Sequence, residues 1–249
     1  MSAVASYFAD AGARLAALGR TQAAAIDATA TLGAAAILDR RPIHIVDPGH
    51  LISHEFIART GGLAAYTALS FGASLDAGNE RIAAERHRLD ATGERSARLL
   101  VEWVFEQGTI LPGDLLVLSS VSGTNTLVVE LATQARQRAV SVVAVTGAAF
   151  SAELASSHSS GKRLFEVADV VLDNCVPYGD AALTVDGVET PVAAWSGLAG
   201  AALLWAVTAG IVEKCAAAGT VPSIYTSYNL PGGGATYAAT RARYRETGR

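Results

Sequence analysis

Apolar residues recur over residues 1–39 at roughly helical spacing, at Ala13, Leu15, Leu18, Ala24, Ile26, Leu32 and Ile37. That pattern predicts one or two helices at the start of the chain. Arg40-Arg41-Pro42 ends the run, because proline lacks the N–H that a continuing helix needs. The rhythm then changes to short apolar runs alternating with amphipathic ones. Ile43-His44-Ile45-Val46 reads as a strand, His50 to Thr60 as a helix stopped by Gly61-Gly62, and Leu63 to Ser70 as a short second strand. Residues 71–92 are polar, arginine-rich and interrupted by glycine, and read as an irregular excursion. Arg95 to Gln107 is an amphipathic helix, and Leu111-Pro112-Gly113-Asp114 is a turn feeding the strand Leu115 to Leu118. A helix over Thr126 to Arg138, strands over Ser141 to Thr146 and Val167 to Leu172, and a long apolar helix over 191–218 complete the series.

Strands that are apolar throughout belong to a sheet covered on both faces, and their alternation with helices makes that sheet parallel and doubly wound, an α/β fold. Ligands of such sheets bind beyond the carboxyl ends of the strands. Four segments therefore qualify: Asp47–Glu55, Ser119–Asn125, Gly147–Lys162 and Asp173–Asp180.

Composition narrows the function classes. The 249 residues are 51% apolar and 17% charged, with a mean hydropathy of +0.31, which suits a large buried core and excludes a disordered chain. A net charge of −4, with arginines clustered only near the C-terminus at Arg241, Arg243 and Arg245, disfavours nucleic acid. Cys175 and Cys215 form neither a metal spacing nor a disulfide framework, so both read as small packing residues in a reducing cytoplasm. The N-terminus has the wrong charge pattern for a secretory signal. Val192 to Val212 is uncharged and long enough to span a bilayer, but its dominance by Ala and Gly favours a soluble helix buried on all sides, against the sheet and a partner subunit. No membrane partner is expected.

The strongest chemical signal is Leu118-Ser119-Ser120-Val121-Ser122-Gly123-Thr124-Asn125, a strand running through a hydroxyl-rich turn into a helix. Backbone N–H groups at the helix start, with the hydroxyls of Ser120, Ser122 and Thr124, make a cradle for a phosphate or another anion. Without the lysine of a P-loop, a nucleoside triphosphate is disfavoured. Ser, Thr and Asn are equally ordinary helix caps. In the first segment His50 and His54 stand four apart with Asp47 before them and Glu55 beside them. Two histidines do not make a metal site, so no metal is assigned, and a His or Glu near an anion cradle suits proton transfer. His158 lies in the polar loop 156–163, which either closes over a ligand or is plain solvent-facing chain. Asn174, Tyr178 and Asp180 follow the last strand and are placed to bond substrate hydroxyls or to cap turns. His44, inside a strand, reads as a core or edge histidine.

Three features together resemble the SIS (sugar isomerase) domain family: the strand, turn and helix at 43–60, the turn Ser120–Asn125, and the segment Ser160-Gly161-Lys162-Arg163-Leu164-Phe165-Glu166-Val167-Ala168-Asp169 running on to Leu183. The likeness is greatest to a bacterial branch of phosphosugar-isomerase-like proteins and covers residues 40–230 well. It implies a three-layer αβα sandwich with a five-stranded parallel sheet of flavodoxin-like type, a homo-oligomer, and a sugar or sugar phosphate as ligand. The expected organisation is an N-terminal helical segment (1–39), the SIS domain (40–220) and a C-terminal tail (221–249). Ser120, Ser122, Gly123, Thr124 and Asn125 match the family's phosphate turn, and His158, Lys162 and Arg163 match the branch's following loop. Relatives carry a Gly-Ser-Gly-His-Ser type of first loop, whereas this chain has Asp47-Pro48-Gly49-His50, which places a carboxylate where hydroxyls face the ligand. The expected reaction is aldose–ketose isomerisation through an enediol without a cofactor, with Glu55 as base, His50 or His158 as its partner, and Asp47, Lys162, Asn174 and Asp180 around the ligand. A non-catalytic sugar-phosphate sensor and a metal-assisted lyase using Asp47, His50 and His54 are the rival expectations.

Overall fold

The computed structural model describes residues 2–47, 52–72 and 78–249. Two helices, α1 (Ala3–Thr21) and α2 (Ala23–Leu38), lead into strand β1 (Ile43–Val46), helix α3 (Ile52–Phe56) and strand β2 (Tyr66–Ala68). Helices α4 (Glu80–Leu89) and α5 (Glu94–Glu106) precede β3 (Leu115–Ser119), α6 (Thr126–Gln137), β4 (Ser141–Thr146), α7 (Ala148–Ala152), α8 (Leu164–Val167) and β5 (Val170–Asp173). The chain closes with β6 (Ala181–Leu183), β7 (Val192–Ala194), α9 (Ser196–Ala217) and α10 (Gly233–Thr247).

Strands β1 to β5 form one parallel sheet in the order β2-β1-β3-β4-β5. Period-two alternation splits their side chains between two cores. Ile43, Ile45, Leu115, Val117, Val143 and Val145 pack with α2, α9 and Phe56 of α3. Val46, Leu116, Leu118, Val142 and Ala144 pack with α5, α6 and Leu164 of α8. This is the three-layer, five-stranded α/β sandwich expected. Small residues bring the first layer close: a Cβ on Gly33 of α2 would lie 2.4 Å from Ile211 of α9, and one on Gly210 would lie 2.9 Å from Ala30.

The apolar run read as one helix over 191–218 divides into β7 and α9, and β7 pairs antiparallel with β6 in a separate hairpin. α9 is long and apolar enough to cross a membrane by length and composition. It is buried along one face, where Ala199, Leu203, Val207 and Ile211 join the core, while Leu198 is exposed, so burial on all sides is not met within the single chain. The excursion at 71–92 contains the regular helix α4, whose polar composition hides it because it has no buried face. The segment expected as a tail carries α10. Tyr237 of α10 stacks on Tyr225 with ring centroids 4.5 Å apart, and Leu63 bridges to Ile224. Cys215 is buried as expected, whereas Cys175 is exposed at φ 51°, against the expectation of packing.

Candidate functional site

Strand order places the site. β1 leads to β2 on one side, whereas β3 lies on its other side, so the loops after β1 and β3 part at a crevice beyond their carboxyl ends. Val46 pairs with Leu118, which sets Asp47 opposite the start of the turn at Ser119.

The turn itself is built by its carbonyl groups. The Val121 carbonyl accepts from the Gly147 N–H at 3.0 Å and the Thr146 hydroxyl at 3.1 Å. The Gly123 carbonyl accepts from the Leu164 N–H at 2.8 Å, and the Thr124 carbonyl from the Ser157 N–H at 3.1 Å. The peptides are trans, so each N–H points opposite to its carbonyl. The N–H groups of Ser122, Thr124 and Asn125 therefore face away from the body of the protein, and among the described residues none of them has a protein acceptor. The Asn125 side chain caps α6 by accepting from the Leu127 N–H at 2.9 Å, and the Ser122 and Thr124 hydroxyls meet at 3.2 Å. Three outward donors at the positive end of a twelve-residue helix are chemically suited to a negative group. Gly123 makes the turn possible, with φ 60° and a Cα seated so closely that a Cβ would lie 3.1 Å from Leu164 and 3.3 Å from the buried Ser151 hydroxyl.

Beside the turn, a cavity of about 110 Å³ opens between the ends of β1 and β2 and the first turns of α6, with Asp47, Ser70, Phe71, Leu127 and Leu131 in its wall. Glu55 of α3 lies on the α9 side of the sheet and is not in the wall of that cavity. Its half-buried carboxylate accepts from the Trp205 indole N–H at 3.2 Å and lies 3.5 Å from Arg59. His54 is exposed, and His50 lies outside the described residues, as do Pro48 and Gly49. Among the described residues, no three His, Cys, Asp or Glu side chains converge as a metal site.

The family model described as SIS domain matches residues 6–147. The chain belongs to the SIS domain family. It is 34% identical over 243 residues to a UPF0309 protein of Brucella anthropi, covering 96% of this chain and 95% of that one. It is also 31% identical over 214 residues to UPF0309 protein ABC0887 of Shouchella clausii, covering 84% and 83%. Among solved structures it matches phosphoheptose isomerase GmhA from Neisseria gonorrhoeae at 17% identity with a TM-score of 0.49, covering 84% of this chain and 96% of that one.

Several residues expected around the ligand of this SIS domain have other partners. His158 is buried behind the turn, with Nε2 2.8 Å from Glu130 and Nδ1 2.8 Å from the Ser160 hydroxyl, so both ring nitrogens are committed. Lys162 sits in the same loop with its side chain exposed. Asp180 caps α9, accepting from the Trp195 N–H at 3.0 Å, the Ser196 N–H at 2.8 Å and the Ser196 hydroxyl at 2.6 Å. Asn174 is buried beneath the turn. Its carbonyl accepts from the Trp195 indole at 2.9 Å, and its Oδ1 would lie 3.2 Å from a Cβ on Gly147, whose N–H holds the Val121 carbonyl. Tyr178 is exposed and packs edge-on against Phe150.

Residues not anticipated from sequence surround His158. Glu130 of α6 is buried and also accepts from Gln134 at 2.7 Å, with Arg98 of α5 at 3.6 Å. Glu94 of α5 accepts from the Ser159 hydroxyl at 2.6 Å and the Ser159 N–H at 2.8 Å, and that hydroxyl is the main cause holding its carboxyl below the usual range. A readable signal existed in Val128-Val129-Glu130-Leu131-Ala132, where a carboxylate interrupts the apolar stripe of an amphipathic helix.

Proposed function

We propose that this SIS domain binds the phosphate of a phosphorylated sugar at the 119–125 turn and interconverts the aldose and ketose forms of that sugar through an enediol. The observation that carries the reading is the inward commitment of the Val121, Gly123 and Thr124 carbonyls, which leaves three N–H donors of one turn facing outward. With the phosphate held there, the rest of the sugar extends across the crevice past Asp47 toward α3. Isomerisation needs a base to take the proton beside the carbonyl and an acid to return a proton at the neighbouring carbon. Glu55, oriented by Trp205, is the base, and His50 is its partner. His158 is not the proton shuttle, because both its ring nitrogens are used behind the turn.

A binding-only sensor is the second reading, favoured by Asp47 at the mouth of the crevice, where its charge opposes a dianion. Incubation with pentose, hexose and heptose phosphates, followed by separation of isomers, decides between the two. Conversion by the wild-type protein, lost by about a hundredfold or more in Glu55→Gln while ligand affinity stays within severalfold, supports the isomerase. Binding of the same sugars without conversion supports the sensor, and unchanged turnover in Glu55→Gln removes Glu55 as the base.

A further inference from the structure

The loop behind the turn is hung on one imidazole. The Ser160 N–H donates to His158 Nδ1 at 3.2 Å, so Nδ1 is an acceptor and Nε2 carries the proton that it donates to Glu130 at 2.8 Å. The loop is tied further by the Ser156 hydroxyl, which donates to the Lys162 carbonyl at 2.7 Å, and by the Lys162 N–H, which donates to the Ser160 hydroxyl at 3.2 Å. Its two ends supply the Ser157 and Leu164 N–H groups that hold the Thr124 and Gly123 carbonyls inward. The Thr126 hydroxyl, donating to the Ser157 carbonyl at 3.3 Å, joins the same loop to the first turn of α6.

We propose that Glu130 and His158 are a positioning pair for the anion turn, and that the turn holds its full affinity only while the imidazole is neutral. The inference rests on the reading of that turn as the phosphate site. Protonating Nδ1 replaces an acceptor by a donor. The Ser160 N–H then loses its acceptor, and the Ser160 hydroxyl, if it was donating to Nδ1, must turn round to accept. The loop slackens where it is tied, and the two carbonyls that aim the turn lose their fixed donors. The charged groups facing His158 are Glu130 from α6 and Glu94 at 3.9 Å with its partner Arg98 from α5, and the loop itself carries the exposed Lys162.

Linkage gives this mechanism a sign of its own. If protonation of His158 weakens anion binding, a bound anion must lower the titration midpoint of His158 by the same factor. Direct attraction between a bound dianion and the imidazolium would raise that midpoint. A purely structural pair, indifferent to the ligand, would leave it unmoved.

The test uses the full wild-type chain and sulfate, a dianion that does not titrate where histidine does. The His158 ring signals, assigned from their through-space contacts with Ser160, are followed by NMR across about pH 5 to 8 with and without saturating sulfate. The amide signals of Ser122, Thr124 and Asn125 in the same samples report occupancy of the turn. The expected result is movement of those amides together with a fall of the His158 midpoint by ~0.7 unit, equivalent to about fivefold weaker binding to the protonated form. A raised or unmoved midpoint with the turn occupied overturns the positioning role and leaves the anion site standing. Amides that ignore sulfate overturn the anion site, and the positioning role with it. Glu130→Leu, of similar size but with no acceptor for the Nε2 proton, and checked for native circular dichroism, is expected to bind sulfate about fivefold more weakly, and unchanged affinity in that folded variant also counts against the pair.

Discussion

Replacing Gly123 by alanine tests the construction of the turn quantitatively. Residue 123 has φ 60°, and an alanine there takes on a left-handed conformation costing about 1–2 kcal/mol. Its Cβ would also lie 3.1 Å from Leu164 Cβ, 3.2 Å from the Thr146 hydroxyl oxygen and 3.3 Å from the Ser151 hydroxyl oxygen. Relieving that crowding moves backbone or core and adds about 1–3 kcal/mol, so the whole loss is about 2–5 kcal/mol. With a urea slope of about 2 kcal/mol/M, the unfolding midpoint falls by roughly 1–2.5 M. Gly187 is the comparator, since its φ is 78° but nothing lies within 4 Å of an added Cβ. Gly187→Ala carries the conformational cost alone, about 1–2 kcal/mol, and leaves anion binding untouched. Urea unfolding and calorimetric titration of sulfate into both variants separate the two contributions. If Gly123→Ala loses no more stability than Gly187→Ala and binds sulfate as the parent does, the close seating of the turn is refuted.

Two further outcomes follow from charge and surface. Arg163, through its side chain and N–H, holds the Glu166 carboxyl down at about 2 from its ordinary 4.5, so the pair stabilises the fold above about pH 4.5 and loses that contribution as pH falls toward 2. Glu166→Gln should therefore flatten the stability profile in that window and nowhere else, as read by thermal unfolding across pH. The exposed face of α9, with Leu198 at its start, is proposed to meet a second copy of the chain. Sedimentation should show an oligomer that Leu198→Glu shifts toward monomer, and a monomeric parent protein would remove that proposal.

How much of this was legible beforehand differed by element for physical reasons. β4 was readable to the residue, since Ser141 to Thr146 is an apolar, β-branched run buried on both faces and bounded by ordinary turns. The turn at 119–125 was readable because hydroxyl residues and one glycine stand between a buried strand and an amphipathic helix. α4 was not, as it buries no residue and so has no apolar stripe to show. β6 and β7 are three residues each, too short for alternation to register, and the alanines of β7 read naturally as the start of α9. Polar residues at strand ends were the hardest to assign. Asp180 and His158 have the composition of ligand contacts, yet Asp180 spends its oxygens on the first turn of α9 and His158 both its ring nitrogens behind the turn. Sequence spacing cannot separate these roles, because both place a polar side chain just beyond a strand. Only the direction of the carbonyls distinguishes the outward face of the turn from the face that is held.

The central claim is that phosphate binds to the outward N–H groups of one turn. Amide NMR shifts of Ser122, Thr124 and Asn125, followed during titration with a phosphorylated sugar and with its unphosphorylated counterpart, measure that contact at the atoms concerned. The account predicts saturable downfield movement of these amides with the phosphorylated sugar alone. Equal response to both sugars, or binding that leaves the three amides unmoved, would contradict it.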